Sequence, residues 1–222
     1  MFTIGENAPP LPADLLGKMT RTETATIGHF RHHGFVDPAV ASVLGDVRIA
    51  GSAVTVRIPG ADSTLLHHAL TLCGPADVLV IDRCGDTRHA CWGGVVTAAA
   101  GLTGIAGAII DGPATDIGEV MAAGFPLWCR GRSSLTTKFL ELDSAVNVPV
   151  QIGGVAVAPG DGVFADYSGV VVVPRAEIEQ VCDTALAMQD NELRVLERLR
   201  NGERLADISG AAERIARALA SQ

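Results

Sequence analysis

Short apolar runs alternate with helical stretches through the middle of the chain. Val47 to Ile58 alternates apolar and polar positions and predicts one bent strand or a strand pair, closed by Pro59-Gly60. Ser63 through Cys73 predicts a helix ended by Gly74-Pro75. Asp77 to Asp82 predicts an apolar strand with a polar far end, Trp92 to Ala100 a small-residue helix, and Ile105 to Ile110 and Phe125 to Arg130 two more buried strands. This spacing implies parallel pairing, with helices over at least one face. From Val146 to Pro174 short strands are broken by Gly153-Gly154, Pro159-Gly160-Asp161-Gly162 and Ser168-Gly169, which predicts antiparallel pairing with tight turns.

The flanks differ. The opening, up to about Arg21, is marked by Pro and Gly and is expected to wrap a neighbouring surface; Thr22 to Ala25 starts a helix running toward His33 and stopped by Gly34. A long polar helix is expected from Glu177 to Asn201, capped by Gly202, with one more short helix from Ala211 to Leu219. Nothing separates independent cores, so residues 1–222 read as a single α/β domain, its core at about 22–175 and a helical arm at 176–222.

Composition narrows the function. The chain is 48% hydrophobic but 4% aromatic, so its core is built of Ala, Val, Ile and Leu. Net charge is −8 and no stretch gathers enough Lys and Arg to follow a phosphate backbone, which disfavours nucleic acid as a partner. Ala90 through Ile110 carries no charge and approaches the length of a membrane span, but five glycines and a Gly101-Leu102-Thr103-Gly104 break make it a helix, a turn and a strand. The first twelve residues have no basic or apolar leader pattern, and the five cysteines show no CxxC spacing. A soluble cytoplasmic protein with reduced thiols, and no membrane partner, is the expectation.

Two segments carry candidate chemistry. Gly93-Gly94-Val95-Val96 opens a helix, where backbone N–H groups suit an anion. Asp111-Gly112-Pro113-Ala114-Thr115-Asp116 follows an apolar strand and places a carboxylate where a hard divalent cation can sit. Sites in open α/β sheets lie beyond the carboxyl ends of parallel strands. Asp82, Arg83, Asp86, Arg88, Asp111 and Asp116 all fall there, with His89 close by as an acid–base candidate. His29, His32, His33, His67 and His68 offer imidazoles without a third well-spaced ligand, which favours capping, packing or subunit contacts.

The order Asp82…Gly85-Asp86, Gly93 to Val96, Gly107-x-x-x-Asp111-Gly112-x-x-Thr115-Asp116, Asn147-Val148-Pro149-Val150, Pro159-Gly160-Asp161 and Asp166-x-x-Gly169 to Pro174 resembles one family. It is that of the regulator of ribonuclease activity A and the 4-hydroxy-4-methyl-2-oxoglutarate aldolases, which are class II pyruvate aldolases. The similarity runs from about Thr24 to Gly202. It implies a three-layer β/β/α sandwich of the swivelling-domain kind, with a C-terminal helical arm, assembled as a homotrimer or homohexamer with sites at subunit boundaries. Gly93, Gly94, Val95 and Val96 then match the loop that binds the pyruvate carboxylate, and Asp116 the ligand of Mg²⁺ or Mn²⁺. Glu192 is set against an acidic residue that reaches a metal-bound water from a neighbouring subunit, with a solvated helix charge as the other reading.

The implied reaction is release of pyruvate from a 4-hydroxy-2-oxo acid, with oxaloacetate decarboxylation as its companion. A cation on the carboxylate and carbonyl of the oxo acid stabilises the enolate, and a base takes the C4 hydroxyl proton. Thr115, Asp86 and Arg88 are the catalytic candidates, Thr115 also touching substrate. Thr115 stands where the aldolases carry an arginine, and Gly94 where some carry an acid. Arg83, Arg88, Arg130 or Arg132 are the chain's possible replacements for that guanidinium. The alternative function is a non-catalytic regulator that binds a protein partner, as the ribonuclease regulator does.

Overall fold

A computed structural model describes residues 1–221. The chain forms β1 (Phe2–Ile4), α1 (Ala13–Met19), α2 (Thr24–Gly28), β2 (Ala41–Ser42), β3 (Ile49–Arg57), α3 (Thr64–Ala69), β4 (Asp77–Asp82) and α4 (Gly94–Thr103). Then come β5 (Gly107–Ile110), α5 (Ile117–Ala122), β6 (Leu127–Cys129), β7 (Ser144–Val146), β8 (Val150–Ile152) and β9 (Val155–Val157). The chain closes with β10 (Gly162–Asp166), β11 (Gly169–Val173), α6 (Ile178–Arg200), α7 (Leu205–Ile208) and α8 (Ala211–Ala220).

Strands β3, β4, β5 and β6 pair in parallel in that order. The predicted bent segment is one strand, β3. Its first half also pairs antiparallel with β10 and its second half antiparallel with β7. β8 and β9 form a separate hairpin.

The period of two sorts the side chains into layers. Leu79, Ile81, Ala108 and Ile110 turn to one face of the parallel sheet and pack on Leu65, Leu66, Val96 and Val120 of the helices. Val78, Val80 and Ile109 turn to the other face and meet Val163, Ala165, Val170 and Val172, with Val150, Ile152 and Val157 of the hairpin. The intervening Phe164, Val171 and Val173 point outward against Met19, Ile27, Ile178, Val181 and Cys182. The result is a helix layer, a parallel sheet and a second β layer, with α1, α2 and α6 outside it. No helix among the described residues is long and apolar enough to cross a membrane.

Several elements depart from the sequence expectation. The helix expected to reach His33 stops at Gly28, where the amides of Phe30 and Arg31 both close on the Ile27 carbonyl. The opening segment is ordered by pairing, since β1 runs parallel to β7, and Lys18 of α1 meets Asp183 of α6 at 2.7 Å. Helix α5 has no counterpart in the sequence expectation: it is six residues long and contains Gly118, a poor helix former.

Candidate functional site

The segment 131–138 crosses the carboxyl ends of three parallel strands in turn. It makes isolated parallel bridges from Arg132 to Ala114, beyond β5, from Thr136 to Ala90, beyond β4, and from Lys138 to Asp62, beyond β3. Beneath it lies a cavity of about 430 Å³, walled by Gly93 to Val96, Thr115, Asp116, Ser63, His67 and Thr136 to Phe139. The two sequence segments therefore meet at one place.

Two bonds join them. The Thr115 amide donates to the Trp92 carbonyl at 2.8 Å, and the Gly94 amide donates to Asp116 Oδ2 at 3.0 Å. Trp92 is itself fixed, fully buried, stacked on Phe125 and donating its indole N–H to Thr97 Oγ1 at 2.9 Å. Asp116 sits at the N-cap of α5 in the left-handed region, φ 51 and ψ 39, which turns its carboxylate back toward α4. Such a conformation costs a non-glycine residue about 1–2 kcal/mol, and aspartate is among the few that adopt it routinely.

The glycine pair has a steric reason. A Cβ on Gly93 would stand 2.5 Å from Asp116 Oδ2 and 2.9 Å from Thr115 Cγ2, and one on Gly94 would fall on the Glu119 carboxylate. The expectation that both glycine amides face a ligand is corrected here, because Asp116 takes the Gly94 N–H. Among the described residues the amides of Gly93, Val95 and Val96 are left open at the start of α4, the last two being the usual unsatisfied donors of a first turn.

Two oxygen-bearing side chains, Asp116 and Glu119, thus converge on the Gly93-Gly94 step. Among the described residues no three His, Cys, Asp or Glu side chains gather as a metal cage. One or two carboxylates with water and substrate completing the shell is the habit of Mg²⁺, so the donor set fits a hard divalent ion. Glu119 was not among the sequence candidates; its three-residue spacing from Asp116 was the available signal once α5 is known to be helical.

The basic group at the cavity is Lys138. It lines the wall and makes no ion pair among the described residues, whereas Lys18, the chain's other lysine, is held by Asp183. Its scarcity in an arginine-rich chain was the only sequence signal. None of the four arginines lines the cavity. Arg83 is fully buried and donates to the carbonyls of Ile58 at 2.9 Å, Asp62 at 3.3 Å and Gly60. Arg130 pairs with Asp111 and, at 3.0 Å, with Asp37. Arg132 lines a different hollow with Arg130, and Arg88 projects into solvent.

Other candidates serve elsewhere. Asp86 accepts the amides of Arg88 at 2.7 Å and His89 at 3.0 Å and pairs with the His89 ring at 2.7 Å. Burial pushes its carboxyl up, but those hydrogen bonds and the imidazole outweigh this and hold it below the usual carboxylate range. It staples its loop, and neither it nor Arg88 nor His89 reaches the cavity wall. Asp82 and Asp111 end their strands as expected, yet each receives an amide of the β8–β9 hairpin, Gln151 at 3.1 Å and Gly153 at 2.8 Å. Glu192 lies on α6 in a separate groove with His29 and Thr26. The histidine in the cavity is His67, edge-to-face with Phe139 at 4.8 Å. Cys91 also lines it, but burial raises its thiol to about 11, so it is a neutral wall rather than a nucleophile.

Comparison with known proteins identifies the family and the fold. A family model described as RraA-like, Aldolase/RraA, matches residues 22–172. A protein of Halalkalibacterium halodurans, provisionally named 4-hydroxy-4-methyl-2-oxoglutarate aldolase, is 36% identical over 148 residues, covering 66% of this chain and 70% of that one. The fold is similar to an uncharacterized protein from Pseudomonas syringae pv. tomato, with TM-score 0.79, 28% identity and coverage of 93% and 98%. It is also similar to Streptomyces coelicolor RraAS2, described as an unusual member of the RNase ES inhibitor RraA protein family. There the TM-score is 0.75 at 27% identity, with coverage of 86% and 98%.

Proposed function

The chain belongs to the RraA-like, Aldolase/RraA family, and from that premise we propose that it is a divalent-metal-dependent carbon–carbon lyase. Its substrate is a small 4-hydroxy-2-oxo acid, with oxaloacetate decarboxylation as the companion reaction and pyruvate as the product. The observation that carries this reading is the 3.0 Å contact between Asp116 and the Gly94 amide, beside the open amides of Val95 and Val96. It sets a carboxylate suited to a divalent cation beside a helix start suited to an anion, in one cavity.

Asp116 and Glu119 would hold Mg²⁺ or Mn²⁺. A cation bound there supplies Lewis-acid charge beside the C1 carboxylate and C2 carbonyl of the oxo acid. The Val95 and Val96 amides bind the C1 carboxylate, aided by the positive end of α4. Thr115 Oγ1 donates to Asp116 Oδ1 at 3.2 Å and steadies that carboxylate. Lys138 draws in the distal carboxylate of a dicarboxylic substrate. His67 accepts the C4 hydroxyl proton; as the C3–C4 bond breaks, its electron pair remains on the three-carbon fragment, which takes up a proton to leave as pyruvate. Sites between subunits of a trimer or hexamer belong to the same reading.

Purified protein with Mg²⁺ or Mn²⁺ is expected to release pyruvate from a 4-hydroxy-2-oxo dicarboxylic acid or from oxaloacetate, and EDTA to stop it. Absence of metal-dependent release across a panel of oxo acids overturns the proposal. Thr115 favours a second reading, a non-catalytic regulator, because it is neutral where the aldolases carry a guanidinium. In that case a ribonuclease would co-purify in stoichiometric amount and the panel would stay silent.

A further inference from the structure

The cavity wall that carries Lys138 is an irregular strip with little apolar anchorage. It lies between the end of β6 at Cys129 and the start of β7 at Ser144. Phe139, Leu140 and Leu142 are exposed by 66%, 45% and 39%, so hydrophobic burial does not fix its course. Main-chain bonds hold the strip as far as Lys138, and the turn that follows, 139–142, is gathered on one buried carboxylate.

Asp62 is 0% exposed and lies outside the cavity lining. Its Oδ1 accepts the amide and hydroxyl of Thr64 at 2.9 and 2.6 Å and the Leu140 amide at 3.0 Å. Its Oδ2 accepts the Leu142 amide, also at 3.0 Å. Glu141, between those two amides, takes a left-handed conformation with φ 55. The turn therefore wraps its N–H groups around the anion, as backbone nests do. The Glu141 amide completes the ring by donating to Thr64 Oγ1 at 3.2 Å.

On either side of Asp62 the main chain is zipped to Lys138. The Lys138 amide donates to the Ala61 carbonyl at 2.7 Å, and the Ser63 amide donates to the Lys138 carbonyl at 3.0 Å. No lysine or arginine side chain pairs with the Asp62 carboxylate among the described residues, so its charge is met by these donors. Burial alone would push its carboxyl up; the Thr64 hydroxyl and the three amides hold it below the ordinary value.

We infer that Asp62 is a positioning residue: it touches no ligand itself, and its hydrogen bonds to the 138–142 turn set Lys138 in the cavity wall. The inference rests on the proposed function only in taking Lys138 as the group that meets a distal carboxylate. Its structural half is independent of any reaction.

The test uses the full chain with Mg²⁺ and two unreactive probes, oxalate, which needs only the helix end of the cavity, and 2-oxoglutarate, which also presents a distal carboxylate. Asp62→Asn is expected to speed hydrogen exchange of the Leu140 and Leu142 amides by about tenfold or more. It should weaken 2-oxoglutarate by the same factor as Lys138→Ala, about tenfold, while oxalate binding changes less than about twofold. The double variant should bind 2-oxoglutarate no more weakly than Lys138→Ala alone. Unchanged exchange, equal loss of both probes, or additive losses in the double variant overturns the inference.

If Asp62→Asn does not fold, Thr64→Val decides. It removes one donor to Asp62 and the acceptor of Glu141, so it should show the same pattern at smaller size, and unaltered exchange there counts against Asp62. If wild-type protein binds no 2-oxoglutarate and turns over no oxo acid, the lyase reading has failed. The exchange comparison then still decides the positioning role.

Discussion

Asp116→Ala is expected to abolish Mg²⁺ and Mn²⁺ binding and to lower kcat/KM for pyruvate release by about 10³-fold. Lewis-acid stabilisation of a developing oxyanion contributes several kcal/mol, and each 1.36 kcal/mol is a factor of ten in rate. The substitution also frees the Gly94 amide that now donates to Asp116 Oδ2 at 3.0 Å. That amide lies at the exposed start of α4 and can turn to water, so the fold should survive. Asp116 is itself exposed and in a left-handed conformation, so its contribution is to the site more than to stability. Calorimetric metal titration and a coupled pyruvate assay read both halves. Full metal affinity in the variant would reject Asp116 as the ligand, whatever the activity.

Thr115→Arg is expected to work in the opposite direction. The family resemblance sets Thr115 against the aldolase arginine, and Arg83, Arg88, Arg130 and Arg132 all lie outside the cavity lining. Removing one charge-stabilising donor from an active site costs roughly 2.7–4 kcal/mol, or about 10²–10³ in rate. Restoring one should recover about 10² in kcat, with KM little changed, because the gain belongs to the transition state. Thr115 is half-buried on the wall of a cavity of about 430 Å³, which leaves room for the longer side chain. The variant forfeits the 3.2 Å hydroxyl contact to Asp116, a loss of about 1 kcal/mol at most. A kcat no higher than wild type would mean that Lys138 already supplies the charge, or that no oxyanion forms there.

The parallel strands were legible because their apolar runs are local, while the three-layer order came from the family resemblance. Leu79 and Ile81 on one face and Val78 and Val80 on the other follow from the sequence between Asp77 and Asp82 without knowledge of partners. The glycine loop and Asp116 were legible for a related reason: each begins or ends an element, and strand ends are where sites in such sheets gather. The crowd of charges at the same ends was misleading. Asp82, Asp111 and Asp86 look alike in sequence, yet each is taken up by loop or hairpin amides, a partnership made only by the folded chain.

Lys138 and His67 reach the site from segments that sequence spacing does not connect. Lys138 arrives on a strip held by Asp62, 76 positions earlier in the chain. Glu119 depends on a short helix with a glycine in its first turn. Irregular strips fixed by side-chain-to-backbone bonds carry no hydrophobic period, so their course is set by contacts distant in sequence.

The central claim is that the start of α4 and Asp116 form one site, where an oxo acid and a divalent cation meet. Titrating Mn²⁺ into the protein with and without saturating oxalate tests it most directly, since two ligands that touch must strengthen one another reciprocally. The account predicts Mn²⁺ affinity at least about tenfold higher with oxalate, a coupling of about 1.4 kcal/mol, lost in Asp116→Asn. Equal Mn²⁺ affinity in the presence and absence of bound oxalate would contradict it.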